Sequence, residues 1–268
     1  MPNLRSIAFA AFFPAVLGAQ APAHNSPEEV MWSFEHFADI FGSRLVAAFD
    51  SIPASRYDYR PTPTQQSIGY IAQHLEQANY GLCAQFSDLK YAKTVKDALP
   101  DTVKARWPKD TLVARLRASL QFCDTALERV GRLESGALAS SLLAFETDLA
   151  EHYSQVSSYM RALGMVPPSA LPPKKRAAID LPGAALSPLV GAYQIAHGPQ
   201  LVVSMRGVDL LVQSSAGGDA VRLWPESRDE FFVNEVDAQI TCIRDASGRV
   251  TALVLHQWGR DRTAPRIR

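Results

Sequence analysis

Cysteine is scarce in this chain: three in 268 residues, at positions 83, 123 and 242, with no Cys-x-x-Cys pair among them. A cysteine-based zinc site is therefore disfavoured. Net charge is also missing, since Lys plus Arg and Asp plus Glu both number 27 and no dense basic stripe with interleaved aromatics occurs. Nucleic acid is accordingly not an expected partner. No Gly-x-Ser-x-Gly elbow, phosphate-binding glycine loop or His-Glu-x-x-His pair is present. Those absences argue against a serine hydrolase, a nucleotide enzyme and a common metalloprotease.

Long apolar runs are nearly absent too, and the one that exists lies at residues 7–17, behind Arg5 and ahead of the small-residue stretch 19–23. A basic start, an apolar stretch well short of the ~20 residues that a membrane span needs, and small residues after it form a secretory signal pattern. Residues 1–23 are expected to be that signal, cleaved after Ala23, because a cut after Ala21 leaves Pro22 first. The expected location is periplasmic or secreted, with no membrane association after signal removal. No cysteine precedes position 83, so a lipid-anchored cysteine at the mature start is ruled out. In an oxidising compartment Cys83 and Cys123 could pair, leaving Cys242 as a single buried thiol; three free, packed cysteines are the alternative. Spacing alone does not decide between them.

What the chain does contain is helical periodicity, at 47% hydrophobic and 20% charged residues, the profile of a folded protein. Ser26, Pro27 and Glu29 form a capping box with proline at the first helical position, followed by Val30, Phe34, Phe37, Phe41, Leu45 and Ala48 at three- and four-residue steps. A second helix is expected over 67–86, carrying Ile68, Ile71, Leu75, Ala78 and Leu82 on its stripe. A third runs from about 109 to 133, with Leu112, Leu116, Leu120, Cys123, Leu127 and Val130. A fourth covers 141–163, where Leu142, Phe145, Leu149, His152, Val156, Tyr159 and Leu163 alternate in steps of three and four. Gly164 then sits where a helix C-terminal cap belongs, and Pro167 with Pro168 forbids continuation. The connection 89–108 is longer than an antiparallel turn needs and suits a crossover along a four-helix bundle.

Six prolines between positions 167 and 188, with the basic run Lys174, Lys175 and Arg176, mark a linker at 169–185. Beyond it the pattern becomes strand-like. Segments 201–206, 208–214, 231–234, 239–244 and 250–257, separated by glycine-containing turns, predict a small antiparallel sheet or half-barrel over 186–268.

Three polar side chains stand out on the helical stripes. Asp148 and His152 are four residues apart and project from one face of the fourth helix, while His74 flanks the stripe of the second. Packing these helices together gives two imidazoles and a carboxylate, a donor set that suits a divalent metal with an open coordination position. The alternative for His152 is an ordinary buried histidine with a hydrogen-bond partner. His36 lies off its stripe, His24 falls near the expected mature start, and His197 and His256 read as polar residues of the strand region.

Two segments carry a family resemblance. Residues 67–75, SIGYIAQHL, resemble the second-helix signature of the DinB-like superfamily. Residues 148–156, DLAEHYSQV, followed by 159–168, YMRALGMVPP, resemble its fourth-helix signature. The resemblance covers about 26–168 and implies an up-down-down-up four-helix bundle with a crossover between its second and third helices. It also implies a divalent metal, zinc or nickel, held by His74, Asp148 and His152. This chain departs from the family pattern in one respect: Asp148 stands where the family has a histidine. A carboxylate still ligates, but makes the site harder and less selective for zinc. Residues 186–268 resemble, more weakly, a strand-rich domain of unknown function appended to some beta-lactamase-related proteins. That likeness rests on Leu189 to Tyr193, Phe231, Phe232 and 248–250, and implies an accessory role.

The expected function is a metal-dependent hydrolase acting on a small molecule of unidentified class. A non-catalytic exported metal- or ligand-binding protein and a thiol-dependent transferase are the alternatives, and a homodimer is an open arrangement. Export weakens the transferase version, since small thiol cofactors are concentrated in reducing cytoplasm. Glu151 and Tyr153 adjoin His152 but point to other faces, so no general base is assigned.

Overall fold

The computed structural model describes residues 26–172 and 174–267, in which helices precede an eight-stranded antiparallel sheet. The expected signal segment 1–23 and His24 lie outside the described residues. Among those residues no helix is long and apolar enough to cross a membrane.

The first helix, α1 (Pro27–Ser51), begins as its sequence dictates. The Ser26 hydroxyl accepts from the Glu29 N–H, and the Glu29 carboxylate accepts from the Ser26 N–H. Such a cap stabilises a helix start by about 1 kcal/mol. Helix α2 (Ile68–Cys83) is capped by Ser67. A short α3 (Asp101–Lys104) interrupts the crossover, and α4 (Lys109–Val130) follows it. Helix α5 (Gly136–Ala162) starts five residues earlier than its apolar stripe implies, because Ser135 supplies the cap. It ends in a Schellman arrangement: Met165 N–H donates to Met160 O, Gly164 N–H donates to Arg161 O, and Gly164 has φ of 74°.

The four long helices share one core, in which α1 packs on α4 and α5, and α2 packs on the same two. Their directions follow from side-chain pairing. Glu76 meets Arg115, Asn79 meets Ser119 and Cys83 joins Cys123, in ascending order on both helices, so α2 and α4 run parallel. On α1 and α4 the order is reversed, Gly42 facing Leu120 while Asp50 pairs with Arg117. Parallel neighbours need a connection that returns the full height of the pair, which is the physical reason for the long segment 89–108. The crossover is pressed close to α2: a Cβ added at Gly69 would lie 2.2 Å from the Ala105 carbonyl oxygen. The disulfide left open by the sequence is present between Cys83 and Cys123, with Cα atoms 5.2 Å apart, and Cys242 is a free, buried cysteine.

Between the two parts lie a 3-10 turn at Pro168–Ala170 and a short helix α6 (Gly183–Leu186). This linker is tied to the sheet through Ile179 N–H to Pro225 O and an Arg176–Glu226 ion pair. The sheet comprises β1 (Gly191–Gln194), β2 (Gln200–Arg206), β3 (Asp209–Ser214), β4 (Val221–Pro225), β5 (Glu230–Val233), β6 (Ala238–Arg244), β7 (Val250–Gln257) and β8 (Arg260–Pro265). Each strand pairs antiparallel with the next. A bridge between Tyr193 and Arg266, with Ile267 N–H donating to Ala192 O, brings the end of the chain back to β1. The expected antiparallel sheet is thus present, curled beyond a half-barrel into a nearly closed barrel filled by Tyr193, Leu201, Val203, Leu210, Phe231, Ile240 and Leu253.

Helices and barrel meet through charge. Arg260 and Arg262 lie on the same side of β8 as the fully buried Ala264, and reach out to α1 and α4. Arg260 donates to Asp39 at 2.9 Å and pairs with Asp124 at 3.1 Å, while Arg262 donates to Glu35 at 3.1 Å and also to Asp39. Trp32 of α1 packs on the barrel core, and its indole stacks on His36.

Candidate metal centre

His74, Asp148 and His152 converge. Among the described residues they form the one group of three or more His, Cys, Asp or Glu whose ligand atoms all lie within 4.8 Å of one another. Helix α2 supplies His74 and α5 supplies the other two, one helical turn apart, so the site exists because α2 and α5 pack together. Asp148 Oδ1 stands between the imidazoles, 3.9 Å from His74 Nε2 and 3.6 Å from His152 Nε2. The rings meet edge to face with centroids 4.8 Å apart.

The separations are informative. At 3.6 and 3.9 Å these atoms are too far apart for hydrogen bonds. Donor atoms sharing a tetrahedral ion with bonds of about 2.1 Å lie about 3.4 Å apart, close to what is observed. The second carboxylate oxygen, Asp148 Oδ2, is buried and accepts no hydrogen bond. An acceptor left without a donor in this position, beside two imidazole nitrogens directed at its partner oxygen, fits a cation that these residues would hold. The donor set therefore suits a divalent ion.

Burial grades outward across the site: the side chains of His152, Asp148 and His74 are 10%, 21% and 37% exposed. His152 is held on its other side, where Nδ1 lies 3.0 Å from Gln155 Oε1 and the Gln155 amide donates to the Tyr159 hydroxyl at 3.2 Å. Because an amide oxygen only accepts, Nδ1 carries the proton and Nε2 presents its lone pair toward Asp148. His74 behaves differently. The Asp148 carboxylate raises its pKa above the ordinary imidazole value, with burial opposing and with Asp101 and Glu151 adding negative potential.

The remaining histidines lie elsewhere. His36 belongs to the helix–barrel junction, where burial and the nearby Arg262 lower its pKa. His197 occupies a turn with φ of 55°. His256 is bonded to Thr241 and Asp261 on the barrel, an arrangement that its strand-like sequence context did not reveal. Gln155 was legible only as part of a motif; its role follows from lying three residues beyond His152, on the same helix face. Helix α2 also borders a cavity of about 740 Å³, lined by Glu76, Gln77, Tyr80, Leu89, Tyr91 and Asp97 among others. None of the three converging residues lines that cavity, so the site is defined by donor geometry and not by cavity size. No protein-family model matches the chain, and no curated protein matches it.

Proposed function

We propose that residues 26–168 form a DinB-like four-helix bundle that binds a divalent metal, zinc or nickel, through His74, Asp148 and His152, and that the protein is an exported metal-dependent hydrolase. The observation that carries this reading is the convergence of the three side chains, with both imidazoles near Asp148 Oδ1 while its other oxygen, Oδ2, is buried and unpartnered. Parallel α2 and α4 joined by a long crossover support the DinB-like part. The Cys83–Cys123 bridge suits an oxidising compartment and so supports export.

A bound divalent ion supplies Lewis-acid polarisation of a substrate carbonyl and activation of water. The chain's own residues do the rest. Gln155 fixes the His152 tautomer and ring orientation. Asp148 brings a negative charge that offsets the cation's charge in a partly buried site. The greater exposure of His74 leaves the approach for a small molecule on the α2 side.

Elemental analysis of protein purified from its native compartment tests the site. Stoichiometric zinc or nickel is expected in the wild type and is lost in His74→Ala and His152→Ala; wild type free of metal under metal-replete conditions would sink the proposal. Hydrolysis of an amide panel that stops with a chelator and returns with zinc or nickel tests the catalytic part. Metal without such turnover would favour the non-catalytic binding alternative.

A further inference from the structure

The barrel carries a second chemically organised cluster, independent of the helices. On β6, β7 and β8, Thr241, His256 and Asp261 are linked in series. Thr241 Oγ1 lies 2.9 Å from His256 Nε2, and His256 Nδ1 lies 2.6 Å from Asp261 Oδ1. Sheet register produces the alignment. His256 pairs directly with Asp261 across β7 and β8 and with Gln239 across β6 and β7, which places Thr241, two residues beyond Gln239, on the diagonal of the same outer face. The inward residues of β6 are Ala238, Ile240 and Cys242, all buried, so Thr241 faces outward and is reachable.

Hydrogen-bond chemistry sets the direction of this chain. A carboxylate only accepts, so His256 Nδ1 donates to Asp261. In the neutral imidazole Nε2 is then the acceptor, and the Thr241 hydroxyl must be the donor. A hydroxyl that donates to an imidazole held by a carboxylate is the signature of an activated nucleophile. We propose that Thr241, His256 and Asp261 form an acyl-accepting relay on the barrel surface, with Thr241 as nucleophile, His256 as base and Asp261 as its orienting group.

The fold also restricts the substrate. Strand β6 is paired on both edges, with β5 and β7, so its backbone N–H groups around Thr241 are engaged in the ladders. No backbone pair is left to stabilise an oxyanion. A substrate must then carry its own reactivity, which points to small esters with good leaving groups, such as aryl esters. In the step, Thr241 Oγ1 bonds to the ester carbonyl carbon as its proton passes to His256 Nε2. The bond from that carbon to the leaving phenolate oxygen breaks, and the phenolate takes the proton from His256. Water, deprotonated by His256, hydrolyses the Thr241 ester and regenerates the hydroxyl.

The test uses a fluorophosphonate, in which the Thr241 oxygen would displace fluoride from phosphorus, on the full chain with a chelator present throughout. Intact mass and peptide mapping are expected to find one adduct per chain, on Thr241. It should be abolished in Thr241→Ala, retained in Thr241→Ser and slowed about 100-fold in both His256→Ala and His256→Gln. Asp261→Asn should slow it about tenfold. No adduct on the wild type, an adduct on another residue, or unchanged labelling of the His256 variants would overturn the proposal. Insensitivity to the chelator separates this site from the metal centre, so either can fail without the other.

Discussion

Asp124 gives the most discriminating test of how charge is balanced at the junction between helices and barrel. It pairs with Arg260 at 3.1 Å, an arrangement that ordinarily holds a carboxyl pKa down. Here burial outweighs the arginine, with Asp39 and Glu128 adding repulsion, and the pKa is pushed up to about 6. Since an unperturbed aspartate titrates near 3.9, the folded protein holds this proton over a pH range in which the unfolded chain has released it. Stability from this site is therefore greatest below about pH 4, falls as the pH rises toward 6, and is constant above that. One pKa unit is worth about 1.4 kcal/mol, which sets roughly 3 kcal/mol as a ceiling. The side chain is 25% exposed, and solvent screening brings the expectation to roughly 2 kcal/mol. Asp124→Asn, which mimics the protonated form, is accordingly expected to match the wild type at pH 4 and exceed it by about that amount at pH 7.5. Urea unfolding at both values, with the disulfide intact, measures the difference. A variant less stable than wild type at pH 7.5, by a margin that grows with pH, would refute the reasoning, because it would mean that the ion pair outweighs the desolvation.

Replacing Arg262 by Met leaves the buried Asp39 and the largely buried Glu35 with less compensation, and is expected to cost about 3 kcal/mol in chemical denaturation, with Arg260 retaining part of the pairing. Reducing the Cys83–Cys123 bridge, or changing both residues to Ser, releases a 40-residue separation, for which chain entropy predicts a loss of about 4 kcal/mol, readable as a lower melting temperature under reducing conditions. Gln155→Leu removes the acceptor that orients His152, and metal affinity measured by competitive chelation should drop about 10- to 100-fold while the helical circular dichroism stays unchanged.

Much of the helical half is determined locally. The Ser26–Glu29 box, the Ser67 cap and the Gly164 stop are interactions between residues a few positions apart, and the apolar stripes need only the helical period to be read. Asp148 and His152 share a face for the same reason. Helix α5 begins before its apolar periodicity does, because residues 136–140 lack a strong apolar stripe and are helical by virtue of the Ser135 cap. Three strands were not visible at all. Strand β1 is four residues long, β4 has a weak alternation, and β8, with sequence RDRTAP, has no strand composition and is held by its pairing with β7 and its arginine contacts to α1 and α4.

The chain by itself therefore determined its helices, their caps, the division into a helical and a strand-rich part, and the three residues with metal-ligand character. Tertiary structure decided that His74 meets Asp148 and His152, that Cys83 pairs with Cys123, that the sheet nearly closes, and that Thr241, His256 and Asp261 align. The physical reason is one of range. Periodicity and capping act within about one helical turn, whereas each of these meetings joins different helices or strands and depends on which faces pack and in what register.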